Sequence, residues 1–305
     1  MDQQVYHIPA LLPEVLASLD IKPGGTYVDV TFGGGGHSRA IVERIDASAC
    51  GHLYAFDQDK DAIERAFSDD RMSLIYGNFR FLKNFAGFYG FNGVDGVLAD
   101  LGVSFHHFDD PGRGFSFRWE GPLDMRMNQK SSKTAAWILA NYTEGQLAEI
   151  FRLYGELKQS RRLAAAIVKA RNGSDGISTV EGLMSVVMPM MNPKQQKKEL
   201  AMLFQALRIE VNGEIDALNR LLVQALDILR PGGRLAIITY HSLEDRLVKN
   251  FMKTGNLAGE VRQDFYGRNL SPMKLLTSKP IVPSEKEIAD NPRSRSAKLR
   301  VAEKL

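Results

Sequence analysis

TYVDVTFGGGGHS, residues 26–38, is an apolar, β-rich run that breaks into four consecutive glycines. Tyr27, Val28 and Val30 favour a buried strand, and Gly33, Gly34, Gly35 and Gly36 let the backbone turn tightly and approach a ligand with no Cβ in the way. From Ser38 the pattern SRAIVERI turns helical. The segment therefore predicts strand, glycine loop and helix, with backbone N–H groups aimed at whatever lies over the loop.

Two nucleotide-like cofactor classes use such a device. A dinucleotide fingerprint, G-x-G-x-x-G, is not intact from Gly33 or Gly34, because Ser38 and Arg39 stand at the third positions. Enzymes of S-adenosylmethionine show an acid at the strand end and a looser glycine run. Asp29-x-Thr31-x-Gly33-x-Gly35 matches that pattern, with threonine in the first glycine slot. The reading favours the methyl donor.

Composition sets the outer limits. With 305 residues, 44% hydrophobic and 25% charged, the chain can bury a large core as one large domain or two. The single cysteine, Cys50, excludes a disulfide framework and a Cys-rich zinc site and points to a reducing compartment. No apolar run reaches membrane-spanning length, and MDQQVYHIPALLPEV lacks the marks of a signal peptide, so the expected location is the cytoplasm. A net charge of +3 is too mild to decide for nucleic acid, so the distribution of charge matters more than its sum.

Further α/β units follow the glycine loop. HLYAFD (52–57) predicts a second strand whose terminal acid, Asp57, stands where a carboxylate receives a ribose in nucleotide-binding folds, with Asp59 as cap of the helix from Lys60. Residues 72–76 predict a third strand, followed by Phe79, which is placed to lie against an adenine or to serve as plain core. VDGVLAD (94–100) predicts a central fourth strand ending in Asp100. Ligands of open parallel sheets bind at the carboxyl ends of strands, so Asp29, Asp57, Phe79 and Asp100 are expected on one rim.

The next strand of this kind, RLAIITY (234–240), comes far later than the roughly 30 residues one crossover needs. Helical stripes fill the interval. Thr143 with Gln146, and Ser178 with Glu181, read as capping boxes, and a long helix is expected from Leu200 to the break at Arg230-Pro231-Gly232-Gly233. Basic residues crowd this insert (Arg152, Lys158, Arg161, Arg162, Lys169, Arg171, then Lys194, Lys197 and Lys198) and the tail (Arg293, Arg295, Lys298, Arg300). Each cluster alone reads as a solvated face. Together, with Phe115, Phe117 and Trp119 nearby in sequence, they point to a phosphate backbone with splayed bases.

TFGGGGHS, DLGVS, RGFSF, GPLDMRM, FQALRIEVN, LRPGGRLAIITYHSLEDR and NPRSRSAKLR resemble the signatures of the bacterial 16S ribosomal RNA (cytosine-N(4))-methyltransferase family, RsmH, formerly MraW. The resemblance spans nearly the whole chain. It implies a class I S-adenosylmethionine-dependent α/β fold, Rossmann-like with a mostly parallel sheet, made of residues 1–105 and 212–305 around an inserted helical substrate-recognition domain, 106–211. The implied reaction methylates the exocyclic amine of a cytosine in the decoding centre of 16S rRNA, on the free RNA or the small ribosomal subunit. Carried over, the donor contacts fall on Gly35, Gly36, His37, Asp57, Phe79 and Asp100. Where many members carry a donor-binding glutamine after DLGVS, this chain has His107, which can still donate one hydrogen bond to the cofactor, and an arginine common shortly before FQA is absent, Met202 or a neighbour standing there.

The His106-His107-Phe108-Asp109-Asp110 run invites a metal reading, but adjacent side chains diverge, no paired upstream ligand exists and methyl transfer needs no Lewis acid, so no metal is expected. Ser242 reads as the N-cap of the helix after the fifth strand, with His241 on the rim beside a substrate pocket. The expected substrate contacts are Arg161, Arg162, His241, Arg293 and Arg295, and the candidate for orienting the target amine is Asp100. Two other readings stay open: an RNA-binding or ribosome-assembly module without turnover, and a methyltransferase of small molecules, against which the basic insert argues.

Overall fold

A computed structural model describes residues 9–102, 108–173 and 176–305. The chain divides into two compact units, Met1–Gly102 with Ile215–Leu305, and Val103–Glu214.

The first unit is built on a sheet. After α1 (Leu12–Leu19), the chain runs through β1 (Thr26–Asp29), α2 (Gly36–Val42), β2 (His52–Asp57), α3 (Lys60–Glu64), β3 (Met72–Tyr76), α4 (Leu82–Tyr89) and β4 (Val94–Asp100). Neighbouring strands in the order β3-β2-β1-β4 are all parallel. Tyr27 packs into the core on one face while Val28 and Val30 pack on the other, and Leu98 and Val97 divide in the same way. That is the period of a strand buried on both faces, which is why these segments read as near-continuous apolar runs.

Within the second unit, α5 (Ala135–Asn141), α6 (Glu144–Leu153), α7 (Ser160–Arg171), α8 (Val180–Val187) and α9 (Gln196–Asn212) surround one apolar core that includes Leu147, Phe151, Leu163, Leu183, Leu203 and Leu207. The Thr143–Gln146 capping box forms as expected. The second cap sits one residue later than expected: Thr179, not Ser178, accepts from the Gly182 amide, and a glycine there has no side chain to reciprocate. Phe115 is a core residue of this unit and Phe117 packs edge-on against Phe204, so of the three aromatics only Trp119 is exposed. The expected single helix from Leu200 is two helices. Gly213, at φ +60°, ends α9 in a left-handed cap, and α10 (Glu214–Ile228) begins beside it.

The chain then returns to the sheet through β5 (Leu229–Thr239), α11 (Ser242–Thr254), β6 (Met273–Leu275), α12 (Glu285–Asp290) and β7 (Lys298–Lys304). The strand begins earlier than expected. Leu229 already pairs with Val94, Arg230-Pro231-Gly232-Gly233 bulges outward with Gly232 at φ +79°, and pairing resumes at Arg234 opposite Gly96. β7 inserts antiparallel between β5 and β6, completing a seven-stranded order β3-β2-β1-β4-β5-β7-β6. The α/β, mostly parallel class expected from the sequence is the one observed. No helix among the described residues is long and apolar enough to cross a membrane.

Candidate active site

Four parallel strands bring their carboxyl ends side by side in the first unit, and the glycine loop is tied to them by acids. Asp29, fully buried at the end of β1, accepts from the Thr31 amide (3.0 Å), the Thr31 hydroxyl (3.3 Å) and the Ser38 hydroxyl (2.7 Å). Burial pushes its carboxyl above the ordinary value, and these donors pull it back. Thr31, in the slot where glycine is more usual, also accepts from the Asp100 amide at 2.6 Å. Its hydroxyl thus links the ends of β1 and β4, a link a glycine has no atom to make.

Asp57 at the end of β2 holds the loop from the other side. Its Oδ2 accepts from the Gly33 amide (2.7 Å) and its Oδ1 from the Asp59 amide (2.8 Å), while Asp59 itself caps α3 by accepting from Asp61. Gly33 (φ +52°) and Gly35 (φ +76°) need the left-handed region, and a Cβ on Gly35 would stand 2.7 Å from the Phe32 ring. A Cβ on Gly34 would meet no atom within 4 Å among the described residues beyond its chain neighbours. The loop is closed underneath and open above. No backbone carbonyl among the described residues accepts from the amides of Gly36 and His37.

Asp100 closes the row. Its Oδ2 lies 3.8 Å from His37 Nδ1, and its Oδ1 is buried with no hydrogen-bond partner among the described residues. Burial raises its carboxyl, opposed by the His37 ring and the Tyr240 hydroxyl. Burial, with Asp100 adjacent, raises the Tyr240 phenol in turn, so that phenol keeps its proton. The other ring nitrogen of His37, Nε2, lies 3.0 Å from the Ala10 carbonyl, an arrangement only a protonated Nε2 satisfies. His37 Nδ1 faces Asp100 at more than hydrogen-bond distance.

A family profile, the MraW methylase family, matches residues 4–305. The chain belongs to the MraW methylase family. As a MraW methylase it is 57% identical over 302 residues to the protein named Ribosomal RNA small subunit methyltransferase H in Phocaeicola vulgatus, covering 99% of this chain and 98% of that one. The protein of the same name in Parabacteroides distasonis is 57% identical over 301 residues, covering 98% of each, and that of Bacteroides thetaiotaomicron is 55% identical over 303 residues, covering 99% of each. The class I fold, the S-adenosyl-L-methionine cofactor and the methyltransferase activity expected from the sequence are those of the MraW methylases.

The residues present fit that cofactor. The space above Gly34, the unengaged amides beside it, and the orphaned Asp100 Oδ1 together offer donors and an acceptor to a ligand that carries both. Phe79 opens a short 3-10 turn after β3 and is half-buried against the core. Asn78, capping that turn, donates to Gln58 at 2.6 Å. The geometry also adds Thr31 and Tyr240, which sequence reasoning missed. Thr31 was visible only as a misfit in a glycine pattern, and Tyr240 as the residue ending an apolar strand.

His241, rather than Ser242, is the N-cap of α11. Its Nδ1 accepts from the Glu244 amide at 3.4 Å, and its Nε2 lies 3.0 Å from Glu244 Oε1 without hydrogen-bond alignment. Arg300 and Arg171, counted among the basic clusters, are structural. The Arg300 guanidinium donates from Nε (2.7 Å) and Nη2 (3.1 Å) to Asp245, and Arg171 donates to the carbonyls of Leu139 (2.8 Å) and Tyr142 (2.5 Å). Arg161, Arg162, Arg293 and Arg295 are exposed. His107 lies outside the described residues.

Proposed function

We propose that this MraW methylase transfers a methyl group to the N4 amine of a cytosine in the decoding centre of 16S ribosomal RNA, taken free or within the small ribosomal subunit. The sheet unit holds the donor and the helical unit, 106–211 in the sequence reading, holds the RNA. The observation that carries the reading is the buried, unpartnered Oδ1 of Asp100 at the end of a central strand.

The residues take these parts. Gly35, Gly36 and His37 offer backbone to the donor, Asp57 accepts from its ribose, and Phe79 lies against its adenine. When bound, S-adenosyl-L-methionine supplies an electrophilic methyl group. A cytosine amine is a poor nucleophile because its lone pair is delocalised into the ring, so the amine must be turned and its protons held. Asp100 Oδ1 is the acceptor placed to do this. The nitrogen becomes positive as its bond to carbon forms and must shed a proton, and a carboxylate whose affinity for protons is raised by burial is suited to that moment. Holding nitrogen, carbon and leaving group in line supplies up to about 7–11 kcal/mol in favourable cases.

Two results test the assignment. Asp57→Ala removes one or two charge-assisted hydrogen bonds, about 1.5–3 kcal/mol each, and should weaken donor binding measured by calorimetry at least tenfold. Unchanged affinity removes Asp57 from the site. Replacing Arg161 and Arg162 by glutamine should lower RNA affinity and flatten its salt dependence with donor affinity intact. An unaltered slope returns both to the solvated surface. Incorporation of labelled methyl into 16S rRNA separates the enzyme from an assembly module that binds without turnover.

A further inference from the structure

Helix α7 starts in a way that is unfavourable by itself. Its N-cap, Gln159, makes no capping bond, and its side-chain Nε2 donates to Glu199 Oε2 at 2.9 Å. The first turn holds no acid, and Arg161 and Arg162 stand at the helix end where the dipole disfavours cations. The backbone amides of Arg161 and Arg162 donate to no carbonyl among the described residues. Such an end is ordinarily capped by an acceptor side chain.

The side chains around it deepen the imbalance. A cleft of about 630 Å³ is lined by Arg152, Lys158, Arg161, Arg162 and Ser160, with Glu156 the acid on its wall. None of those four cations has a carboxylate at ion-pair distance among the described residues. Ser160, which lines the cleft, is only 6% exposed, and its side chain has no hydrogen-bond partner among the described residues. A second cleft of about 540 Å³ shares Lys158, Gln159 and Arg162 and is walled by Pro189, Met190 and Met191. Ser160, two backbone amides without a carbonyl partner among the described residues and four cations without a carboxylate partner thus lie at one helix mouth, and the adjoining cleft adds Pro189, Met190 and Met191 beside Asn192 and Glu199.

We propose that this helix mouth is a pocket for one phosphodiester group of a single RNA strand, with the attached nucleoside lying along the Pro189–Met191 wall. The inference rests on the RNA reading of the helical unit and gives it a discrete anchor. A phosphate presents several acceptor oxygens in a tetrahedral array, which matches donors arriving from backbone, hydroxyl and guanidinium at once.

Ser160→Asp is the decisive variant, because an acid in the first turn suits the helix dipole and so spares folding while repelling a phosphate. The probe is a single-stranded ribo-oligonucleotide from the decoding region of 16S rRNA, titrated by fluorescence anisotropy across chloride concentrations. The dissociation constant should rise tenfold or more, and the salt slope should become shallower by about 0.7, the value for one phosphate on a single strand. Inorganic phosphate should compete with the oligonucleotide for the unaltered protein beyond the effect of chloride at equal ionic strength, and should lose that advantage in the variant. Lys158→Gln, at an exposed position, should repeat the change in slope if Ser160→Asp folds poorly. Unchanged slopes in both variants, phosphate no better than chloride, or equal displacement by a poly-glutamate peptide would overturn the pocket. Methyl incorporation by the unaltered protein is measured in the same preparation: if it is absent while phosphate competition persists, the enzymatic reading falls and the pocket stands.

Discussion

Replacing Asp100 by asparagine should cut the single-turnover methylation rate at saturating donor and RNA by about 10- to 100-fold, with smaller changes in affinity for either. The substitution keeps the size of the side chain and one acceptor oxygen but removes the charge, and a charge-assisted hydrogen bond is worth about 1.5–3 kcal/mol. An interaction made chiefly as the amine is turned and becomes positive lowers the rate constant rather than raising the Michaelis constant. If Asp100 instead grips the methionyl or adenosyl part of the donor, donor affinity drops and saturating donor restores the rate. A near-normal rate at saturation would therefore leave Asp100 as a cofactor ligand only.

The same substitution has a signature in stability. Burial raises the Asp100 carboxyl in the folded protein, so the native state holds that proton more tightly than the unfolded chain does. Its contribution thus favours folding at acid pH and is withdrawn as pH climbs from about 3.9, the unfolded value, through the raised one. The asparagine side chain does not titrate, so thermal melts of the Asp100→Asn variant should gain on those of the unaltered protein as pH rises through that window. Activity of the unaltered enzyme should fall on the acid side at a pH above the ordinary carboxylate range, and that limb should vanish in the variant.

Much of the sheet unit was legible in the sequence because its determinants are local. A strand buried on both faces shows as an apolar run, and acids at strand ends show because, Asp95 near the start of β4 aside, no other carboxylate lies in those runs, so β1 to β4, Asp29, Asp57 and Asp100 could be placed by number. The errors fall where a distant partner decides. Leu229 joins β5 ahead of Arg230-Pro231-Gly232-Gly233 because Val94 is there to pair with it, although the four residues read as a plain break. β7 was hidden by its charges: Arg300 looks like a solvated cation until Asp245, on another element, receives it. Phe115 looked like a base-stacking aromatic because a single core position carries no period. His241 displaced Ser242 as cap because Glu244 engages its ring, a choice between neighbours that residue preferences alone do not make.

The glycine loop supplies a pair of substitutions whose contrast isolates the ligand. Gly35→Ala should destabilise the protein, because φ +76° costs an L-residue about 1–2 kcal/mol and the new Cβ would press on Phe32 at 2.7 Å. A lower melting temperature and weaker donor binding should appear together, which says little about where the donor lies. Gly34→Val differs in both respects. Gly34 has no left-handed requirement, and its Cβ would meet no atom within 4 Å among the described residues beyond its chain neighbours, so the melting temperature without donor should stay nearly unchanged. If S-adenosyl-L-methionine lies over the loop, that space is its own, and a branched side chain there collides with it. Donor affinity by calorimetry should then fall by 100-fold or more, about 2.7 kcal/mol, with folding intact. A Gly34→Val protein that melts normally and binds the donor normally would place the donor somewhere other than above these glycines.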